Sequence, residues 1–339
     1  MYSCGLSADK ALAASKKCTL KRSVNADSVL ALLTNHGFSK TQIRELITRD
    51  PDILLRRVEK NLQPKIQFLV DFGLSATQFG ELIVSKPYIL KLGLRNKLVP
   101  TFNFLKELLH TNEKVIRAIR SCPWFIDHNF EKNVIPNISF LQKQRIPICH
   151  ISKFFMHEPR RFMVKVDRFS EVVTKVKELG FDSCSPSMFI EAISAVALSQ
   201  STWEAKSMVY RSFGWSEKDV LSAFRKRPKC MLMSEEKIGR FMDFFLNKLG
   251  LKPSHISYRP NLLFYSLEQR IIPRCTVLQI LASNSLIGKD LTLRQLQQIV
   301  QMGERQFLEI YVIKHQNEAP EVLKAYQGQI SFSKLDIKA

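Results

Sequence analysis

The sequence predicts an all-α fold, a right- or left-handed solenoid of about seven to eight helical repeats, each near 36 residues long. Three observations predict it. Pro51, Pro87, Pro123 and Pro159 are each 36 residues apart, and Pro64, Pro100 and Pro136 keep that interval 13 residues after the first series. Apolar residues ahead of the first-series prolines fall at i, i+3 and i+4, the stripe of a short helix. Gly is scarce, 12 in 339 residues, and strand-like alternation is hard to find, which argues against a β-rich fold.

The first element of each unit is a helix ending at the proline. Its stripe reads Ile43, Leu46, Ile47; Phe79, Leu82, Ile83; Val115, Ala118, Ile119; Ile151, Phe154, Phe155; and Val220, Ala223, Phe224. Ser39 with Gln42, Ser75 with Gln78 and Ser216 with Asp219 have the spacing that satisfies free amides at a helix start. The proline ends the helix because the residue before it is pushed out of the α region.

The second element is an apolar cluster: Ile53-Leu54-Leu55, Tyr88-Ile89-Leu90, Trp124-Phe125-Ile126, Phe162-Met163-Val164, Met231-Leu232-Met233 and Leu262-Leu263-Phe264. Each is too short for an α-helix and suits one buried 3₁₀ turn. A longer third helix follows, carrying Phe68, Phe104, Phe140 or Phe245 and holding the second proline near its first turns, where a missing N–H costs least. Gly73, Gly180, Gly214 and Gly250 then fit left-handed C-caps.

The units so drawn are 37–72, 73–108, 109–144, 145–179, 180–213, 214–249 and 250–284, then a degenerate one, 285–328, within a repeat region spanning 25–328. Ala195 stands in the proline's place in unit five, and Val172 and Phe241 replace the second proline in units four and six. Residues 329–339 read as a C-terminal tail. Residues 1–24 hold Lys10, Lys16, Lys17, Lys21 and Arg22 against Asp9, a composition compatible with the remnant of an organelle-targeting segment.

Charge adds a partner. Lys and Arg number 51 against 31 Asp and Glu, a net +20, and such an excess points to an anionic partner, nucleic acid ahead of a membrane surface. No apolar run approaches the roughly 20 residues that span a bilayer. Cys4, Cys18, Cys122, Cys149, Cys184, Cys230 and Cys275 are odd in number and scattered, reading as free thiols rather than disulfides or zinc ligands. His36, His110, His128, His150, His157, His255 and His315 show no metal spacing. No P-loop, nucleophile elbow or paired-carboxylate signature appears. Neither catalysis nor a cofactor is expected.

Tetratricopeptide and pentatricopeptide arrays have similar periods, but the patterns of both are missing. The stretches "GFSKTQIRELITRDPDILLRRVEKNLQPKIQFLVDFG" (37–73), "GLSATQFGELIVSKPYILKLGLRNKLVPTFNFLKEL" (73–108) and "GWSEKDVLSAFRKRPKCMLMSEEKIGRFMDFFLNKLG" (214–250) resemble the mitochondrial transcription termination factor (mTERF) family, whose repeat joins a leucine-rich helix, a proline, a short turn helix and a third helix. The opening "SCGLSADKALAASKK" (3–17) and the ending "FLEIYVIKHQNEAPEVLKAYQG" (307–328) look like its land-plant branch. The resemblance implies a superhelix with a basic concave face and a role in organellar gene expression, in the mitochondrion or else the chloroplast. It implies organellar DNA or RNA as ligand, with duplex DNA slightly favoured, acting in transcription termination or in RNA processing such as intron splicing. A monomer is expected, with other gene-expression proteins as further partners.

Two sets of bases are candidates for phosphate contact. Pro228 and Pro260 continue the first series near the C-terminus, and Pro273 repeats the 13-residue offset; nine or ten residues after the first-series prolines stand Lys60, Lys97, Lys132, Arg168, Lys237 and Arg270, which a helical array would set along one track. Denser clusters fall at the proline junctions: Arg56 and Arg57; Arg160, Arg161 and Lys165; Arg225, Lys226, Arg227 and Lys229. These would be clamps that fix register without reading sequence. Ordinary solvated surface is the plain alternative for both, since Glu59, Glu131, Asp167 and Glu236 each precede a ladder base. Trp124, Trp203 and Trp215 are expected in the core rather than as base-stacking platforms. The competing class is a protein-interaction scaffold, with the charge spread over the outside.

Overall fold

The computed structural model describes residues 6, 8–17, 23–122, 126, 130–288, 291–333, 335, 337 and 338. Two compact units emerge, Met1–Glu171 and Val172–Ala339. Pro123, Trp124, Phe125 and His128 lie outside the described residues, as do Cys4, Cys18, Lys21 and Arg22.

The first unit opens with α1 (Ala8–Lys17) and α2 (Ser23–Asn35), then repeats the motif. Helix α3 (Lys40–Arg49) leads through a 3₁₀ turn (Pro51–Leu55) and a π turn (Val58–Leu62) into α4 (Gln63–Asp71). Next come α5 (Ala76–Ser85), Pro87–Lys91 and Leu94–Leu98, then α6 (Val99–Leu109). Helix α7 (Asn112–Ser121) precedes a π turn (Phe130–Val134) and α8 (Ile135–Lys143); α9 (Ile148–His157) precedes Pro159–Met163 and α10 (Val166–Glu178), in which the division between the units falls.

The second unit contains α11 (Pro186–Val196), α12 (Gln200–Ser212), α13 (Glu217–Lys226), a 3₁₀ turn (Pro228–Leu232), and α14 (Glu235–Asp243) with a π turn at its end (Phe244–Lys248). Helix α15 (Pro253–Tyr258), a 3₁₀ turn (Pro260–Phe264) and a π turn (Leu267–Ile271) lead into α16 (Ile272–Ser283). The degenerate end holds β1 (Leu291–Thr292), α17 (Leu293–Gln301), α18 (Glu304–Phe307), α19 (Glu321–Tyr326) and β2 (Ile337–Lys338), the two short strands pairing in parallel. The fold is an all-α helical-repeat array, as the proline spacing predicts.

Local chemistry follows the sequence closely. Ser39 and Gln42, Ser75 and Gln78, and Ser216 and Asp219 each exchange reciprocal bonds at a helix start. The residues before the prolines leave the α region, Asp50 at φ −138° and ψ 80° and Lys86 at φ −140° and ψ 72°. The apolar clusters form 3₁₀ turns that bury Ile53, Leu54, Ile89, Leu90, Phe162, Met231, Leu262 and Leu263. Gly73, Gly180, Gly214 and Gly250 have positive φ, and His110 and Arg145 adopt the same conformation after α6 and α8.

The second-series proline lies near the start of the third helix, as its spacing predicts, at the second residue of α4, α6, α8 and α16; what the spacing does not predict is the π turn ahead of it. Pro64, Pro100, Pro136 and Pro273 each follow a full π turn: Val58–Leu62, Leu94–Leu98, Phe130–Val134 and Leu267–Ile271. A proline inside a helix lacks an N–H and presses its ring on the carbonyl four residues back. Wider i→i+5 bonding, as from Gln63 N–H to Val58 O, relieves that clash. Helices α10, α12 and α14, which have no such proline, begin directly as α-helix.

The ends are packed. Leu6, Ala11 and Ala14, within the segment read as a targeting remnant, are buried, and α1 lies against α3 and the Pro51–Leu55 turn. In the tail, Leu335 is buried.

Candidate nucleic-acid interface

The ladder bases all lie in the opening turn of a third helix, but in two rows. Lys60, Lys132, Arg168 and Lys237, nine residues after their prolines, are exposed. Lys97 and Arg270, ten residues after, are half-buried. One residue turns a helical position by about 100°, so the two sets face different ways. Lys97 is 36 residues from both Asn61 and Asn133, and that row points inward. Asn61 Oδ1 accepts from Lys65 Nζ at 3.0 Å, and Asn133 Nδ2 donates to Met163 O at 3.1 Å. Arg270 rests over the Tyr265 ring, 5.4 Å from its centroid.

Among the outward bases, Arg168 meets Glu171 at 3.3 Å, and Lys237 Nζ lies 5.5 Å from the Phe241 ring centroid. Lys60 and Lys132 form no ion pair among the described residues. The preceding acids Glu59, Glu131 and Glu236 make none either among the described residues, so Lys60, Lys132 and Lys237 keep their charge toward solvent.

The junction clusters divide similarly. Arg57, Arg160, Lys165, Arg225, Lys226, Arg227 and Lys229 are exposed, whereas Arg56 and Arg161 are half-buried. Arg161 Nε donates to Glu158 at 3.0 Å. Lys226 Nζ sits 4.1 Å from the Tyr258 ring centroid, Arg227 Nε donates to Asn261 Oδ1 at 2.5 Å, and Lys229 lies over Phe264 at 5.7 Å. Each thus reaches the junction of the following repeat. Glu191, on α11, is the acid facing this cluster. Burial pushes its carboxyl above the ordinary range, partly offset by Lys229, Arg227 and a bond from the Lys229 N–H. A cleft of about 390 Å³ opens beside Lys237, Arg240, Phe264 and Tyr265, with Arg240 ion-paired to Glu268 across it.

A second polar set has a different task, and sequence reasoning missed it. Lys65, Asn137, Lys206 and Arg274 are buried. Lys65 Nζ donates to Leu90 O at 2.7 Å, and Asn137 Nδ2 to Phe162 O at 3.0 Å and Val164 O at 2.9 Å. Lys206 Nζ donates to Met233 O. Arg274 Nη1 reaches Ile299 O at 2.6 Å and Met302 O at 2.8 Å. The first three close carbonyls left open where a neighbouring 3₁₀ turn ends; Arg274 does the same at the end of α17. Burial, with Arg56 nearby, holds the Lys65 ammonium below its usual pKa. Three bases counted in the +20 are therefore internal fastenings. For Lys65, Asn137 and Arg274 the signal was a polar residue directly after the second proline, a place that Thr101 also fills; Lys206 follows no proline and left no such signal.

The two described tryptophans, Trp203 and Trp215, behave as core. Trp215 is buried and stacks on Tyr210 at 4.4 Å, and half-buried Trp203 meets Phe224 edge-on at 5.1 Å. Cys230 and Cys275 are buried free thiols, Cys149 and Cys184 are exposed ones, and Cys122 is buried. Among the described residues no group of three His, Cys, Asp or Glu could hold a metal, and no helix is long and apolar enough to cross a membrane.

Comparison with protein-family models matches the mTERF model over residues 30–193 and 184–308. A comparison with curated proteins gave no match.

Proposed function

Because the chain belongs to the mTERF family of organellar nucleic-acid-binding helical-repeat proteins, we propose that it binds organellar nucleic acid through its outward third-helix bases and acts without catalysis in transcription termination or regulation. The observation that carries this reading is the exposed row Lys60, Lys132, Arg168 and Lys237, recurring at equivalent positions of the repeat. Repeated bases suit a ligand with repeated phosphates, and Arg57, Arg160, Lys165, Arg225, Lys226, Arg227 and Lys229 supply further contacts beside the row. Duplex DNA is the favoured ligand, ahead of RNA in splicing or maturation, and the mitochondrion is the favoured address, ahead of the chloroplast. Phosphate contacts give the affinity; deformation of the duplex gives the selectivity.

Fluorescence anisotropy with labelled organellar duplexes and transcripts, titrated across salt, tests the reading. The four contacts of the row alone predict a slope of log K against log salt of about −3.6 on duplex DNA, and each further contact beside the row steepens it by about 0.9. Binding indifferent to salt, or none to DNA or RNA, overturns it.

A further inference from the structure

Repeat six carries the densest basic cluster, Arg225, Lys226, Arg227 and Lys229, and a single acid, Glu191, is set against it. Glu191 lies on α11, which packs on the Pro228–Leu232 turn. It is half-buried, and the Lys229 N–H donates to its carboxylate, so the acid holds the start of the turn that displays the cluster. Its Oε2 is buried and meets no hydrogen-bond partner among the described residues. Arg227 Nε donates to Asn261 Oδ1 instead, and Lys229 lies over the Phe264 ring. Both cations are thus tied to the following repeat, yet both act on Glu191 through space.

This is unlike an ordinary surface pair. At the repeat-four junction Arg161 closes directly on Glu158, and a phosphate would have to displace that acid. In repeat six neither cation closes on its acid, so both stay open to a phosphate while a carboxylate beside them offsets part of their charge. A charge held in a half-buried place is screened less than one on the open surface. Arg227 and Lys229 are the charged groups that act on Glu191. Helix α11 carries no other charged residue, and the Cys230 thiol in the facing turn stays neutral, pushed up to about 12 by burial.

We propose that Glu191 is a positioning residue that tunes the repeat-six clamp: it anchors the turn presenting Arg227 and Lys229, and its negative charge restrains their hold on phosphate. Loss of that charge with the anchor kept tightens binding. A bound phosphate favours the neutral acid in return, so binding and protonation of Glu191 help each other. This role rests on the nucleic-acid binding proposed above.

Glu191→Gln removes the charge and keeps an acceptor for the Lys229 N–H. In anisotropy titrations with a labelled organellar duplex at neutral pH and fixed salt, this variant binds about two- to threefold more tightly than the unaltered protein, the effect of one charge roughly 10 Å from a phosphate in a water-like dielectric. The advantage fades as the pH falls toward the ordinary carboxylate range, where both side chains are neutral; histidines titrate alike in the two proteins and cancel in the ratio. Equal affinities at neutral pH, or a gain that pH does not change, overturn the proposal. Glu191→Ala loses the anchor as well and gains less than Glu191→Gln; an equal gain overturns the anchoring. A second reading needs no variant: with carbon-13 glutamate in the unaltered protein, the Glu191 carboxyl titrates at higher pH with the duplex bound than without it, and an unmoved midpoint overturns the proposal. Lys237→Gln separates the two levels. If it weakens binding while Glu191→Gln changes nothing, the role of Glu191 alone falls; if no nucleic acid binds, that role and the function proposed above fall together.

Discussion

Lys65 Nζ donates to the Leu90 carbonyl at 2.7 Å, across 25 positions, and the same span separates Asn137 from Phe162 and Arg274 from Ile299. At each of these three junctions a side chain thus crosses to the next repeat and closes a carbonyl that the end of a turn or helix would leave bare. Lysine, asparagine and arginine serve the same position, because an N–H donor of adequate reach is all the carbonyl requires.

Lys65→Met keeps the bulk and removes the donor. Leaving the buried Leu90 carbonyl unpaired is expected to cost about 1–3 kcal/mol. Lys60→Met, on the exposed row, should stay within about 0.5 kcal/mol. Urea denaturation of both variants checks this, and equal midpoints would remove Lys65 from its fastening role.

The outward row and the paired bases separate in binding. Lys60→Gln, Lys132→Gln and Lys237→Gln should each weaken nucleic-acid affinity for every sequence alike and lessen the salt slope by about 1. Arg161→Gln, whose partner is Glu158, should leave the slope nearly unchanged. Anisotropy titrations at several salt concentrations measure both.

Backbone conformation predicts a contrast at the helix ends. Arg145 has φ +61° where the equivalent end of α4 has Gly73, and Arg145→Gly should raise stability by about 1 kcal/mol or less. Gly180→Ala meets no atom within 4 Å of the added Cβ but sits at φ +91°, so its loss of about 1–2 kcal/mol would be backbone strain alone. Thermal melts of the two variants should move in opposite directions.

Glu191 gives a pH dependence with a definite sign. Its folded pKa lies above the ordinary carboxylate value, so the folded state binds its proton more tightly than the unfolded chain. The cost of ionising it is complete above the folded pKa, and absent below the unfolded value. Glu191→Gln, which can still accept the Lys229 N–H, should therefore stabilise the protein at neutral pH. That advantage should vanish as the pH falls below the usual carboxylate range, as urea midpoints at the two pH values would show.

The thiols should sort by burial. Cys230 and Cys275 are pushed up to about 12 by burial, and thiolate is the reactive form. Mass mapping after brief maleimide treatment should find label on Cys149 and Cys184, with Cys122, Cys230 and Cys275 labelled only in denaturant.

Much of the architecture was legible because its causes are local. The capping pairs at Ser39, Ser75 and Ser216, the stop before Pro51 and Pro87, and the 3₁₀ turns after them depend on residues within about four positions of one another. Spacing put the second proline near the start of the third helix, but it did not foresee the π turn ahead of it, because spacing alone does not record i→i+5 bonding. The candidate site was only half legible: spacing found the opening turn of the third helix, but merged the exposed row of Lys60 and Lys132 with the inward row of Lys97 and Arg270.

By itself, then, the sequence determined the order of elements, their punctuation and the period of the array, since propensity, capping and proline sterics act over a single turn. Only the tertiary structure decided which bases face water and which fasten one repeat to the next. A lysine's role depends on whether a carbonyl some 25 residues away needs its proton, and no local pattern in the chain records that.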